Sequence, residues 1–244
     1  MNAKLLRLAM WSGPRNISTA MMRSFGNRDD CAVVDEPLYA SYLAATGKPH
    51  PGAAEIIASG ETDWRKVVHS LTNNMPPNVA LCYQKQMTHH VLPEMSRNWL
   101  ASLTNCFLIR HSREVLASYA KIIETPTLAD TGFPQQAEIF DYVRTTTGQM
   151  PPVLEAADVL KNPRRLLGLL CDRLGIAFQD SMLSWPSGPR ATDGIWAKHW
   201  YSEVEKSTGF RPYQERRIEL PDRLEQLAAD CAPYYDRLYD ARLK

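Results

Sequence analysis

Leu5, Leu6, Leu8, Ala9 and Met10 form a nearly continuous apolar run, the pattern of a parallel strand buried on both faces. Ile17, Met21 and Phe25 then recur at helical spacing, predicting a helix that starts near Asn16, a residue suited to N-capping. Cys31, Ala32, Val33 and Val34 predict a second strand, which Asp35-Glu36-Pro37 ends because proline disfavours continued pairing. Residues 38–78 are mixed, with a loop over 48–52 and a helix over 64–71. Residues 79–83 read as a third strand, followed at once by Gln84-Lys85-Gln86-Met87-Thr88-His89-His90. Residues 105–109 read as a fourth, running into Arg110-His111-Ser112.

A helix is expected from near Ser112, with Glu114 in the first turn where the helix dipole favours acid. Residues 123–134 read as a loop and 135 to about 146 as a helix. Val153-Leu154 follows Pro151-Pro152 as a last short strand. Leu166, Leu167, Leu170 and Leu174 mark a helix that Gly175 stops. Residues 186–194 are a proline- and glycine-rich loop. From Leu224 to Leu238 an amphipathic helix is predicted, interrupted or kinked at Pro233. Strands alternating with helices imply an α/β fold: a doubly wound, mainly parallel sheet with helices on both faces. The 244 residues fit one domain over 1–244, long enough to bury a substantial core.

Composition narrows the function classes. A net charge of +1 argues against binding nucleic acid through bulk charge, although it leaves room for a local basic pocket. The five cysteines are scattered without a CxxC pair, so neither a disulfide framework nor a zinc site is expected, and no metal site is assigned. The first apolar run is too short for a signal peptide or a membrane span, which makes a cytoplasmic location and no membrane partner the expectation. Nothing in the pattern specifies an oligomeric state.

The chemistry concentrates after the first strand. In Ser12-Gly13-Pro14-Arg15-Asn16-Ile17-Ser18-Thr19, a strand, a tight loop and a helix follow one another, so free backbone N–H groups of the first helical turn point into the loop and attract an anion. Arg15 adds a planar donor fork, and Ser18 and Thr19 add hydroxyls. A surface arginine on a simple strand–helix connection would give the same string. The nucleotide-hydrolase loop needs two glycines followed by Lys and Ser/Thr; here only Gly13 is present and no lysine ends the loop. Ser187-Gly188-Pro189-Arg190 repeats the tetrapeptide, but with no strand before it and no helix pattern after it.

The order of four segments resembles the sulfotransferase family, whose P-loop-like fold moves a sulfuryl group from 3′-phosphoadenosine-5′-phosphosulfate to an acceptor. The loop is the first segment, with Gly13, Arg15, Asn16, Ser18 and Thr19 at the places that hold the 5′-phosphosulfate. The family often has lysine where this chain has Arg15. The second runs from Arg110 to Tyr119 and is similar to the family's 3′-phosphate site, with Arg110 at a strand end and Ser118 eight residues later. The third, Glu155 to Pro163 with Leu174-Gly175-Ile176, implies a structural role. The fourth, Gly194 to Trp200, is loosely similar to a late glycine–tryptophan–lysine segment, which makes Arg190 and Lys198 candidates for further 3′-phosphate contacts.

The resemblance implies the phosphosulfate donor as co-substrate, no metal, and a small-molecule hydroxyl or amine acceptor. It also implies a base that takes the acceptor's proton. Glu36 resembles the carboxylate base of carbohydrate-sulfating branches. His89 and His90 stand near where another branch places a histidine, and neutral histidine has the better unperturbed pKa. Glu36 is favoured by a small margin, with Lys85 assigned to the charge on the moving sulfuryl group. Residues 38–78 and 120–150, expected around the acceptor, hold no readable motif. A small-molecule phosphotransferase and a catalytically silent anion-binding protein are the alternatives.

Overall fold

A computed structural model describes residues 5–74 and 79–244. The end of the mixed stretch over 38–78 therefore lies outside the described residues. Strands β1 (Leu6–Ser12), β2 (Cys31–Asp35), β3 (Leu81–Met87), β4 (Thr104–Ile109) and β5 (Val153–Glu155) form one sheet in the order β2-β3-β1-β4-β5, every pair parallel. The helices are α1 (Ser18–Gly26), α2 (Tyr39–Thr46), α3 (Ala53–Ser59), α4 (Trp64–Asn73), α5 (Ser112–Tyr119), α6 (Leu128–Thr131) and α7 (Phe133–Thr147). They continue as α8 (Ala156–Lys161), α9 (Pro163–Leu174), α10 (Ala197–Trp200), α11 (Ser202–Glu205) and α12 (Asp222–Tyr239).

Side chains of β1 alternate between two cores, as the pleat requires. Ala9 and Trp11 join one face with α4, α7 and α12; Leu8 and Met10 join the other with α1 and α9. The α/β class and helices on both faces are as the hydrophobic pattern predicts. β1 is flanked by β3 on one side and β4 on the other, so the chain winds one way and then the other from this strand. Ligands of such sheets bind beyond the carboxyl ends of the strands at that reversal.

Several local expectations need correction. β3 does not stop at Tyr83 but runs to Met87, with Lys85 paired in register to Met10 and Asp35. Polarity there marks buried groups with partners rather than the end of the strand: Gln84 donates to the Leu71 carbonyl at 2.9 Å, and Lys85 meets Asp35. Asn16 is not the N-cap of α1. Ile17 holds that place without a side-chain cap, while the Asn16 amide donates to the Leu108 carbonyl at 2.9 Å and accepts from the Ile17 N–H. The supposed loop over 123–134 contains α6, closed by a Thr127–Asp130 capping box. α12 is not interrupted at Pro233 but runs through it, with Cys231 and Tyr235 on either side buried in the core. The Glu155–Pro163 segment is structural as expected: Glu155 caps α8 by accepting from Asp158 N–H, and Asn162 caps α9 through Arg165 N–H.

Candidate functional site

A cavity of about 370 Å³ opens at the carboxyl ends of β1, β2, β3 and β4. Arg15, Asn16, Ser18, Thr19, Glu36, Lys85, His89, His90, Arg110 and Ser118 all line it. These residues come from stretches spread over a hundred positions of sequence, and the sheet order brings them to one mouth.

One part of the cavity wall gathers backbone N–H groups and two guanidiniums. The first intrahelical bond of α1 runs from Met21 N–H to Ile17, which leaves the N–H groups of Ser18, Thr19 and Ala20 without helical partners. Gly13 lies behind the loop, where a Cβ would come within 2.6 Å of the Thr131 carbonyl oxygen. Only glycine lets the loop press so closely against the turn before α7. Arg15 follows in the left-handed region at φ 57°, a conformation that costs a non-glycine residue on the order of 1–3 kcal/mol. Its Nε donates to Ser118 Oγ at 3.0 Å, and Arg110 donates to its backbone carbonyl at 2.9 Å. Arg110 is aimed by Glu114, 2.8 Å away, which in turn accepts from Tyr213. Burial and the neighbouring Arg110 pull the Arg15 guanidinium below its ordinary range. Glu203 lies across the mouth but is held by Arg211. Two guanidiniums thus stand together, and Arg15 has no ion-pair partner among the described residues.

Another part of the wall is a buried charge network. Lys85, 1% exposed, reaches Asp35 at 3.1 Å, Tyr201 Oη at 2.5 Å, and Glu36. Burial pulls the Lys85 ammonium down, but Asp35 and Glu36 more than offset this, and the net shift is upward. Burial is also the main cause that raises Glu36, against the pull of Lys85; Asp35 pushes it further up. Glu36 is the second non-glycine residue at positive φ, 39°. The only two such residues among those described are both on the cavity wall, as stored backbone strain at working sites would have it.

Beside this network, His90 stacks between Tyr39 and Tyr42 at 4.7 and 4.8 Å, and His89 meets Tyr42 edge-on at 5.4 Å. Burial pushes His89 down to about 3 and His90 well below its ordinary value, and it also lowers His50, whose Nδ1 lies 2.9 Å from Tyr39 Oη. The three imidazoles are neutral in the fold but take up protons near pH 6.5 when the chain unfolds. Their folded pKa values are depressed, so the stability they confer is present above about pH 6.5 and is lost as pH falls toward 3. Glu36 and Glu155, both raised by burial, oppose this with two protons against three. Melting temperature is therefore expected to fall from pH 7.5 to pH 5, by up to about 1.4 kcal/mol of stability per pH unit for each histidine. His90→Phe should flatten the slope, and a melting curve that stays level or rises on acidification would contradict the assignment.

Two expected residues stay outside the cavity. Lys198 is exposed and pairs with Glu55 at 2.5 Å, and Arg190 donates to the Pro186 carbonyl at 2.9 Å. Neither reaches the mouth, because residues 186–194 fold against α1 through a bidentate pair between Arg23 and Asp193 at 2.5 and 2.7 Å. Tyr39 and His50 from the 38–78 stretch do line the cavity, whereas none of residues 120–150 does. Sequence reasoning missed Tyr39, Tyr119, Tyr201 and Arg211 on the wall. Tyr201 follows Trp200 in a stretch without periodicity, so no local signal marks it. No helix described is long and apolar enough to cross a membrane, and among the described residues no cluster of three or more His, Cys, Asp or Glu is placed to hold a metal.

The family profile described as Sulfotransferase domain matches residues 6–242. Two Arabidopsis thaliana proteins named branched-chain-amino-acid aminotransferase-like protein 2 and protein 1 are 34% and 36% identical to the chain over 228 residues. That is 93% of this chain but 40% of theirs, so the chain spans less than half the length of these curated relatives. A sulfotransferase from Alicyclobacillus acidocaldarius superposes at a TM-score of 0.59 with 13% identity, covering 98% of this chain and 97% of that one. A sulfotransferase domain from the curacin biosynthetic pathway superposes at 0.51 with 16% identity, covering 95% of this chain and 99% of that one. At such identities the likeness is one of fold.

Proposed function

Because the chain belongs to the sulfotransferase family, we propose that it moves a sulfuryl group from 3′-phosphoadenosine-5′-phosphosulfate to a hydroxyl or amine of a small-molecule acceptor. The observation that carries this reading is the meeting of Arg15, Arg110 and Ser118 at one mouth with the open N-terminus of α1. The donor set suits a nucleotide that is anionic at both ends: two guanidiniums, three hydroxyls and the first-turn N–H groups. Arg110 and Ser118 would hold the ribose phosphate, and Arg15, Ser18 and Thr19 the phosphosulfate end. The bound donor supplies an activated sulfuryl group with a phosphate leaving group.

The protein's own part is positional and electrostatic. Fixed donors at the α1 end favour charge as it gathers on the leaving phosphate, without reorganising as they do so. Lys85 offers its charge from the floor of the cavity. Glu36 takes the acceptor's proton: its carboxylate is raised toward neutrality, as a base working near neutral pH requires. His89 and His90 are held neutral and so far depressed that they bind a proton poorly, which leaves them as wall rather than base.

The test is binding of 3′,5′-adenosine bisphosphate, the spent donor. At a hundred times its Kd it should stabilise the fold by about 2.7 kcal/mol, seen as a clear rise in melting temperature without metal. Arg110→Ala is expected to weaken that binding by about 10- to 100-fold, the worth of a charge-assisted bidentate contact. No shift at millimolar nucleotide would sink the reading, and a shift given only by ATP with magnesium would favour phosphoryl transfer instead.

A further inference from the structure

Three charges are buried together beside the cavity: Lys85, Asp35 and Glu36. One ammonium cannot neutralise two carboxylates, so something must divide their labour. Asp35 is the better supplied of the two. Its Oδ1 accepts from Lys85 at 3.1 Å, its Oδ2 accepts from Gly194 N–H at 3.1 Å, and both oxygens lie 2.8 Å from the Tyr201 hydroxyl. It does not line the cavity, whereas Glu36, Lys85 and Tyr201 do.

We infer that Tyr201 is a positioning residue: its hydroxyl, bonded to Asp35 and in contact with Lys85, holds Asp35 as the standing counter-ion and leaves Glu36 free to exchange a proton with the acceptor. The inference rests on the reading of Glu36 as base. In the step it serves, the acceptor's O–H or N–H proton passes to Glu36 as the acceptor atom bonds to sulfur and the bond from sulfur to the leaving phosphate oxygen breaks. Tyr201 itself keeps its proton, since burial and Asp35 push its ionisation far up. It is 3% exposed, and the Lys85 ammonium lies 4.7 Å from its ring centre.

The segment that carries Tyr201 is fastened from behind. The buried Arg23–Asp193 pair anchors residues 190–194: Asp193 also accepts from Arg190 N–H at 2.8 Å, and the next residue, Gly194, reaches Asp35. Trp196 then donates to Tyr201 Oη at 3.3 Å. The charged and titratable groups around Glu36 are Asp35 on β2, Lys85 on β3, Tyr201 between α10 and α11, Tyr39 on α2 and Tyr119 on α5. His90, on the turn after β3, faces Lys85 from the far side.

Removing the Tyr201 hydroxyl takes one donor from a pair of carboxylates that share one ammonium. The doubly ionised pair becomes less favourable, and Glu36 ionises at higher pH. Removing the Asp35 charge does the opposite, since Glu36 then has Lys85 to itself. Isotope-labelled glutamate followed by NMR reads this directly in the free protein, with the Glu36 signal assigned by its absence in Glu36→Gln. Tyr201→Phe is expected to move the Glu36 titration up by about one pH unit, and Asp35→Asn to move it down by about one or more. A purely structural tyrosine would lower melting temperature and leave the titration in place, and that result would overturn the inference. So would a downward shift in Tyr201→Phe. Should Asp35→Asn not fold, Tyr201→Phe, which keeps the ring, decides alone. If Glu36→Gln retains turnover while Tyr201→Phe shifts the titration, the base assignment fails and the positioning stands.

Discussion

Glu36→Gln is expected to lower turnover by about 10²- to 10⁴-fold, the range over which a positioned base contributes, while leaving binding of the spent nucleotide intact or slightly tighter. The substitution keeps the shape of the side chain and removes its charge, and with it the capacity to accept a proton. The proposed nucleotide contacts are on Arg15, Arg110 and Ser118, which share the cavity wall with Glu36. Taking a negative charge away from the cavity cannot repel an anionic donor, hence the expected direction for binding. The measurement is sulfuryl transfer from labelled donor to an acceptor returned by a compound screen, beside the nucleotide-induced rise in melting temperature. Turnover within tenfold of the parent would remove Glu36 from the mechanism. Loss of nucleotide binding in parallel would place it at the donor end instead.

Lys85→Ala is expected to cost about 3–5 kcal/mol at neutral pH, the penalty for stranding buried partners of an ion pair. Lys85 has 1% of its side chain exposed, Asp35 2% and Glu36 11%, so water can do little to replace the ammonium. For a chain of this length that corresponds to a fall in melting temperature of roughly 6–20 °C. The deficit carries a pH signature. Glu36 is already raised above its unfolded value and rises further once Lys85 is gone. The folded state then binds more protons than the unfolded one, and stability falls as pH climbs from about 4 upward. The variant should therefore lie nearest its parent at pH 5 and furthest at pH 8. Adding Glu36→Gln to Lys85→Ala should recover part of the loss by removing one stranded charge. A deficit below 1 kcal/mol, or one indifferent to pH, would contradict a buried, ionised network.

The sheet was legible because strands buried on both faces are written locally. Leu8, Ala9 and Met10, and Phe107, Leu108 and Ile109, lie in apolar runs that water alone would force inward. β3 was read too short for the opposite reason. Gln84 and Lys85 are polar, and partners distant in sequence, the Leu71 carbonyl and Asp35, Glu36 and Tyr201, make their burial tolerable. Arg15, Arg110 and Ser118 were singled out through the family resemblance, and the fold brings all three to one cavity wall. Arg190 and Lys198 stand off the cavity wall, and their sequence neighbourhood says nothing of the Arg23–Asp193 pair or the Lys198–Glu55 pair that hold this region.

The sequence by itself determined the α/β class, the loop after β1, and the short list of charged residues at strand ends, because each depends on a residue and its near neighbours. Tertiary structure alone decided which of those charges share one small volume and how burial reorders their proton affinities, raising Glu36 and emptying His89 and His90. Desolvation and Coulomb attraction depend on distance in space and on excluded water. Neither is set until β2, β3 and the segment bearing Tyr201 have come together.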